Sequence, residues 1–160
     1  MGENGDDIMV DYAGDYVPGG NQAHGIISGT NEEETIIAGD GNDKVYGNGG
    51  DDVIDITLGH NAAFGGAGDD ILSGGLGDDE LNGGPDDDTL LGREGADTLN
   101  GDGGSDILDG AGINEDGAID ILNGGTGDDF LYGRGGVDIL DGGEEGETLG
   151  DWCVPGDPGV

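Results

Sequence analysis

Oxygen donors at a fixed spacing are what this chain offers to chemistry. Asp70, Asp79, Asp88, Asp97 and Asp106 fall nine residues apart, and the series resumes at Asp120, Asp129, Asp138 and Glu147. Asp43 and Asp52 extend the series toward the N-terminus. Neighbouring pairs such as Asp69-Asp70 or Asp78-Asp79 have the composition of a glycosidase acid/base couple. A catalytic pair occurs once, whereas these recur in one phase, as structural ligands do. Carboxylates with no thiolate or imidazole in the same register suit hard cations.

The elements that position these groups are read from a second column. Two residues after each carboxylate stands an aliphatic: Leu72, Leu81, Leu90, Leu99, Leu108, Leu122, Leu131, Leu140 and Leu149. Cut into nonads from Gly2, the chain holds an unbroken run through Asp109, then a longer unit, Gly110 to Asn123, then three nonads ending at Gly150. Counting Gly65 as position one, the carboxylate is position six and the aliphatic position eight. The glycines supply turn conformations, so positions one to six are predicted to be turn and seven to nine a minimal strand. Such a strand has no stability alone. Stacked in parallel with two nonads per coil, the strands gain neighbours and the aliphatics make one narrow core. Residues 1–37 carry degenerate copies, expected to be worn or capping repeats, 38–150 the working array, and 151–160 a short tail.

Charge narrows the partners. The 160 residues include 38 acids against 3 bases, a formal net charge of -35. Nucleic acid and anionic membranes are repelled by such a chain and cations are attracted. Gly contributes 41 residues without a three-residue period, and 4 Pro are too few for a collagen helix. A disordered acidic tail has no reason to keep one aliphatic in nine. The single Cys153 excludes an internal disulfide framework and a Cys-based zinc site. No apolar run approaches membrane-spanning length, and the first residues lack the basic and apolar regions of a signal peptide.

The unit Gly65-Gly66-Ala67-Gly68-Asp69-Asp70-Ile71-Leu72-Ser73, repeated with small changes, resembles the Gly-Gly-x-Gly-x-Asp-x-Leu-x nonapeptide of RTX proteins, the haemolysin-type calcium-binding repeats. The resemblance implies an all-β fold, a right-handed parallel β-roll. It also implies an extracellular, secreted setting, in which the repeats are a structural or secretion-associated module and not an enzyme. A fragment of a larger secreted enzyme or toxin fits the same resemblance, because such proteins carry their activity outside the repeats. Their export signal follows the repeats, and here only residues 151–160 do.

Calcium is implied between successive coils on one edge, held by position-six aspartates and turn carbonyls of nonads n and n+2. Carried over by residue, the side-chain ligands are Asp43, Asp52, Asp70, Asp79, Asp88, Asp97, Asp106, Asp120, Asp129 and Asp138. The carbonyls lie near Gly50, Gly66, Gly68, Gly75, Gly77, Gly95, Gly104, Gly125, Gly127 and Gly136. One edge pairs Asp52 with Asp70, Asp70 with Asp88, Asp88 with Asp106 and Asp106 with Asp129. The other pairs Asp79 with Asp97, Asp97 with Asp120 and Asp120 with Asp138, provided the long unit bulges outward. Roughly six to eight calcium ions are expected. Stacked carboxylates repel without metal, so folding is expected to require calcium, at about 10⁻⁴–10⁻³ M as in extracellular modules.

Other features carry less. His24 and His60 fall two coils apart on one edge, too far for one metal, and read as surface residues. Gly101 and Gly103 begin a dinucleotide-type glycine pattern, but Asp106 occupies its third glycine. Cys153 beside Trp152 reads as cover for the open end of the core, since nearby carboxylates raise a thiol pKa. Asp86 replaces a turn glycine and puts that turn's shape in question. Outward positions form an amide line, Asn82, Asn100 and Asn123 with Asp141, and an apolar stripe, Val53, Ile71, Thr89, Ile107 and Phe130. That stripe is a candidate face for a protein partner or a second copy.

Overall fold

Alternate-residue burial and glycine punctuation wind the chain into a coil of short strands. The structure is a computed structural model that describes residues 7–10, 25–111, 118–144 and 148–150. In chain order the strands are β1 (Asp7–Val10), β2 (Ile26–Ser28), β3 (Glu34–Asp40), β4 (Lys44–Gly49), β5 (Val53–Leu58), β6 (Ala62–Ala67), β7 (Ile71–Leu76) and β8 (Glu80–Pro85). They continue with β9 (Thr89–Glu94), β10 (Thr98–Gly103), β11 (Ile107–Ala111), β12 (Ile121–Thr126), β13 (Phe130–Tyr132), β14 (Ile139–Glu144) and β15 (Thr148–Gly150). No helix occurs among the described residues. The side chains of Asp7 and Leu149, and residues His24, Glu147, Trp152 and Cys153, lie outside the described set.

Odd-numbered strands form one sheet, β1-β3-β5-β7-β9-β11-β13-β15, and even-numbered strands the other, β14-β12-β10-β8-β6-β4-β2. The pairing is parallel, and each strand meets the one two nonads on, with Ile54 opposite Leu72 and Leu72 opposite Leu90. This is the expected parallel β-roll with two nonads per coil. Leu99 faces Leu122 and Leu108 faces Leu131, so the long unit is absorbed without a change of register or edge.

The strands are longer than the sequence predicts. Ile71–Leu76 and Glu80–Pro85 each run six residues, from position seven to position three of the next nonad, leaving only positions four to six as turn. The cause is the stacking of like turns, which lets the backbone ladder continue: Gly59 N–H donates to the Leu76 carbonyl at 2.9 Å and Gly77 N–H to that of Glu94 at 2.8 Å. Position one is therefore an extended, inward-facing residue.

The core is the position-eight column. Ile36, Val45, Ile54, Ala63, Leu72, Leu81, Leu90, Leu99, Leu108, Leu122 and Leu131 are fully buried, with Ile27 at one end and Leu140 packing at the other. Ala38 and Ile56, at position one, join the same core. Each leucine has like neighbours one coil above and below, so a deletion leaves a hole that the rigid ladder does not close. Leu90→Ala is expected to cost about 2–5 kcal/mol in saturating calcium, read from the shift in urea midpoint.

Both outer-face columns form. Asn100 Nδ2 donates to Asn82 Oδ1 at 2.9 Å and Asn123 Nδ2 to Asn100 Oδ1 at 2.8 Å. Val53, Ile71, Ile107 and Phe130 stand in register and remain 40–45% exposed. Asp86 takes a left-handed conformation, φ 84°, so an aspartate holds the turn that the sequence put in question.

Candidate metal centre

Position six sits where each three-residue turn re-enters a strand, and the fold turns its side chain inward. Asp52, Asp70, Asp88, Asp106 and Asp129 on one edge are buried, as are Asp43, Asp79, Asp97 and Asp120 on the other. Asp138, near the end of the second edge, is half-buried.

Each carboxylate is stitched to the coil before it. On the first edge the Asp52 N–H donates to Asp70 Oδ1 at 2.7 Å, and those of Asp70 and Asp88 to Asp88 and Asp106 Oδ1, both at 2.8 Å. The Asp106 N–H reaches Asp129 Oδ1 at 2.9 Å. The second edge repeats the pattern from Asp79 to Asp97 and Asp97 to Asp120, both at 2.8 Å, and Asp120 to Asp138 at 3.0 Å. The carboxylates paired from sequence are thus adjacent rungs of two ladders. Two rungs carry other residues: Glu34 N–H donates to Asp52 Oδ1, and Asn61 stands between Asp43 and Asp79.

The second oxygen is different. Oδ2 of Asp52, Asp70, Asp79, Asp88, Asp106 and Asp129 is buried with no hydrogen-bond donor. The three basic side chains are engaged elsewhere. Arg134 pairs with Asp109 at 2.5 Å, Arg93 Nε donates to Ser73 Oγ at 2.7 Å, and Lys44 lies over the stacked Tyr46 and Phe64 rings. An ionised oxygen buried without a donor is unfavourable unless a cation reaches it.

Each of these oxygens packs directly against a position-one glycine. A Cβ placed on Gly47 would lie 2.2 Å from Asp52 Oδ2 and 2.4 Å from the Gly65 carbonyl oxygen. At Gly101 the same point is 2.2 Å from Asp106 Oδ2 and 2.5 Å from the Gly124 oxygen, and at Gly92 it is 2.5 Å from both Asp97 Oδ2 and the Gly110 oxygen. The missing Cβ at position one therefore lets a carboxylate oxygen and a carbonyl of the next coil approach the backbone closely. No three carboxylate, imidazole or thiol groups converge on a metal position among the described residues, so carbonyl oxygens must complete any coordination. The ten glycines singled out beside candidate carbonyls all adopt positive φ, from 96° at Gly50 and Gly75 to 148° at Gly104. Oxygen-only donors, backbone carbonyls included, are the set a hard divalent cation takes. Gly83→Ala would bring a methyl 2.2 Å from Asp88 Oδ2 and is expected to cost about 1–3 kcal/mol in a calcium-saturated melt. Gly49→Ala, whose nearest neighbour would be at 3.5 Å, is the control, expected to stay within about 0.5 kcal/mol.

Burial of these groups leaves its mark on their acidity. Burial pushes Asp52 and Asp88 up to about 7 and Asp70, Asp79 and Asp106 to about 6. The backbone donor on Oδ1 opposes the rise, and neighbouring carboxylates add to it at Asp52, Asp70, Asp88 and Asp106.

Position five forms a second set of ladders that sequence reading did not separate from the first. Its side chains are exposed and point to the following coil: Asp51 Oδ1 accepts from Asp69 N–H at 3.0 Å, Asp69 from Asp87 at 3.1 Å and Asp87 from Ser105 at 2.7 Å. The repeated Asp-Asp dipeptide was the available signal, since two adjacent residues on a turn cannot face the same way. His60 belongs to the position-five column of the other edge, exposed, with Nδ1 3.6 Å from Asp78 Oδ2.

A coil of parallel strands, with glycine-backed carboxylates stacked along both edges, defines a calcium-repeat β-roll. The model of the RTX calcium-binding nonapeptide repeat matches the chain in four copies, over residues 28–61, 55–90, 82–112 and 116–145. The chain belongs to this family of calcium-binding repeats. No curated protein matches it.

Proposed function

We propose that this chain is a calcium-gated structural module of an extracellular protein, folding as its two edges take up the ion. The observation that carries the reading is the row of buried Oδ2 atoms without donors, each against a position-one glycine and, at Asp52, Asp79, Asp106 and Asp129, beside a carbonyl of the next coil. The side-chain ligands would be Asp52, Asp70, Asp79, Asp88, Asp97, Asp106, Asp120, Asp129 and Asp138, with carbonyls from the positive-φ turns. Calcium, when bound, would supply the positive charge that the buried carboxylate oxygens lack. The chain's own part is to hold one carboxylate oxygen on a backbone N–H and present the other. Carbonyl ligands in a turn closed by glycine give the flexible geometry that favours calcium over magnesium.

Isothermal titration of the full chain tests this. Calcium uptake by several sites is expected, with little heat from magnesium. Asp88→Asn, which keeps the Oδ1 acceptor but removes the charge beside Gly83, is expected to lower the bound calcium by one or two ions. Equal binding of magnesium, or an unchanged calcium count in the variant, would count against the reading.

A second role rests on the apolar stripe of Val53, Ile71, Ile107 and Phe130. Its exposure on an acidic surface supports a face for a protein partner, tested by loss of pull-down or self-association in Ile71→Asp.

A further inference from the structure

The two edges do not begin alike. From Asp79 onward, each described turn of the second edge has glycine at position one: Gly74, Gly92, Gly110 and Gly133 lie where a Cβ would meet the position-six Oδ2 of the same turn at 2.5–2.7 Å. In the two preceding turns of that edge, position one is Ala38 and then Ile56. Both side chains are fully buried in the hydrophobic core. Apolar carbon thus occupies the place that the position-six Oδ2 takes in the later turns.

The position-six side chains of these turns are hydrogen-bonded within the chain, with Gly25 N–H donating to Asp43 Oδ1 at 2.8 Å. Asn61 Oδ1 accepts the Asp43 N–H at 2.8 Å, so the amide keeps the ladder intact. Its Nδ2 donates to Asp79 Oδ1 at 3.0 Å, a hydrogen bond that an aspartate at 61 would replace with charge repulsion. On the first edge, Glu34 Oε2 accepts from Thr30 N–H at 3.0 Å, and its other oxygen from the Thr30 hydroxyl. Stacked Tyr46 and Phe64, 5.1 Å between centroids with the Lys44 ammonium above them, brace the outside of β4 and β6.

Given the calcium reading above, we infer that Ala38, Ile56 and Asn61 close the start of the second edge to the ion, and that residues 25–64 are a side-chain-held seed on which the calcium-dependent coils stack. This departs from the sequence expectation that Asp43 is a ligand. Calcium uptake begins at Asp52 on one edge and at Asp79 on the other. The seed lowers the barrier of the first coil, since later coils add to a formed end and need not nucleate alone.

Hydrogen exchange on the full chain in chelator reads the seed directly. Amides of 26–28, 35–38, 44–46 and 53–56 are expected to exchange on the order of tenfold or more slower than those of 71–140. Calorimetry of Ile56→Gly with Asn61→Asp reads the closure: the double variant is expected to bind one more calcium than the wild-type chain, while Asn61→Asp alone adds none. Uniform exchange across 26–140, or no additional calcium in the double variant, would overturn the inference. Absence of calcium uptake by the wild-type chain would instead overturn the reading it rests on. Should the double variant fail to fold, Ala38→Gly opens the neighbouring turn, where a gain of one ion is again expected and no gain overturns the inference.

Discussion

Stripping calcium from the full chain with a chelator is expected to abolish most of its β-sheet circular dichroism, and added calcium to restore it cooperatively. Six buried carboxylate oxygens without donors are the reason. Each costs at least about 1–3 kcal/mol when no partner reaches it, and together they rival the ~5–15 kcal/mol by which a domain is stable. Like charges one coil apart add to the cost, and the core that opposes it is one aliphatic wide. On the proposed reading calcium binds the folded state alone, so its binding free energy becomes folding free energy. Magnesium at the same concentration is expected to leave the spectrum of the stripped chain nearly unchanged. A full β spectrum in excess chelator would show that the core suffices without the ion.

Acid is expected to replace part of what calcium does. Asp52 and Asp88 titrate near 7 and Asp70, Asp79 and Asp106 near 6 in the folded chain, against 3.8 for an ordinary aspartate. Because the folded state holds these protons more tightly, their contribution to stability is fully present below pH 3.8 and is lost as pH rises through 6 to 7. Calcium-depleted protein is therefore expected to gain β structure as pH falls from 8 to 5. Calcium must displace the same protons, so its apparent affinity is expected to fall over that range, with protons released on binding near pH 6–7. Circular dichroism of metal-depleted protein against pH, with proton release measured in two buffers of different ionisation enthalpy, checks both. Loss of β structure on acidification from pH 8 to 5 would contradict the first expectation.

The two columns made the architecture legible before any coordinates. A nine-residue period of Leu72, Leu81 and Leu90 admits few folds other than stacked short strands, and the phase recovered at Asp120 allowed the long unit to keep its edge. The rung pairs, Asp70 with Asp88 or Asp97 with Asp120, followed from counting two nonads per coil. Local chemistry decided these features, since a periodic aliphatic can be buried only by a periodic backbone.

Strand length, and the direction of each carboxylate oxygen, were decided by contacts between coils. Positions one to three look like turn in sequence because they are glycine-rich. They become strand because an identical segment lies above and below to complete their hydrogen bonds. Likewise, Asp69 and Asp70 are the same residue type, yet one is exposed toward the following coil and the other buried toward the preceding one. Ala38 and Ile56 stand at the glycine position of their nonads. Only the structure shows that their side chains stand where a carboxylate oxygen stands in later turns, because the turn shape that brings residues five apart together is held by the coils stacked on it.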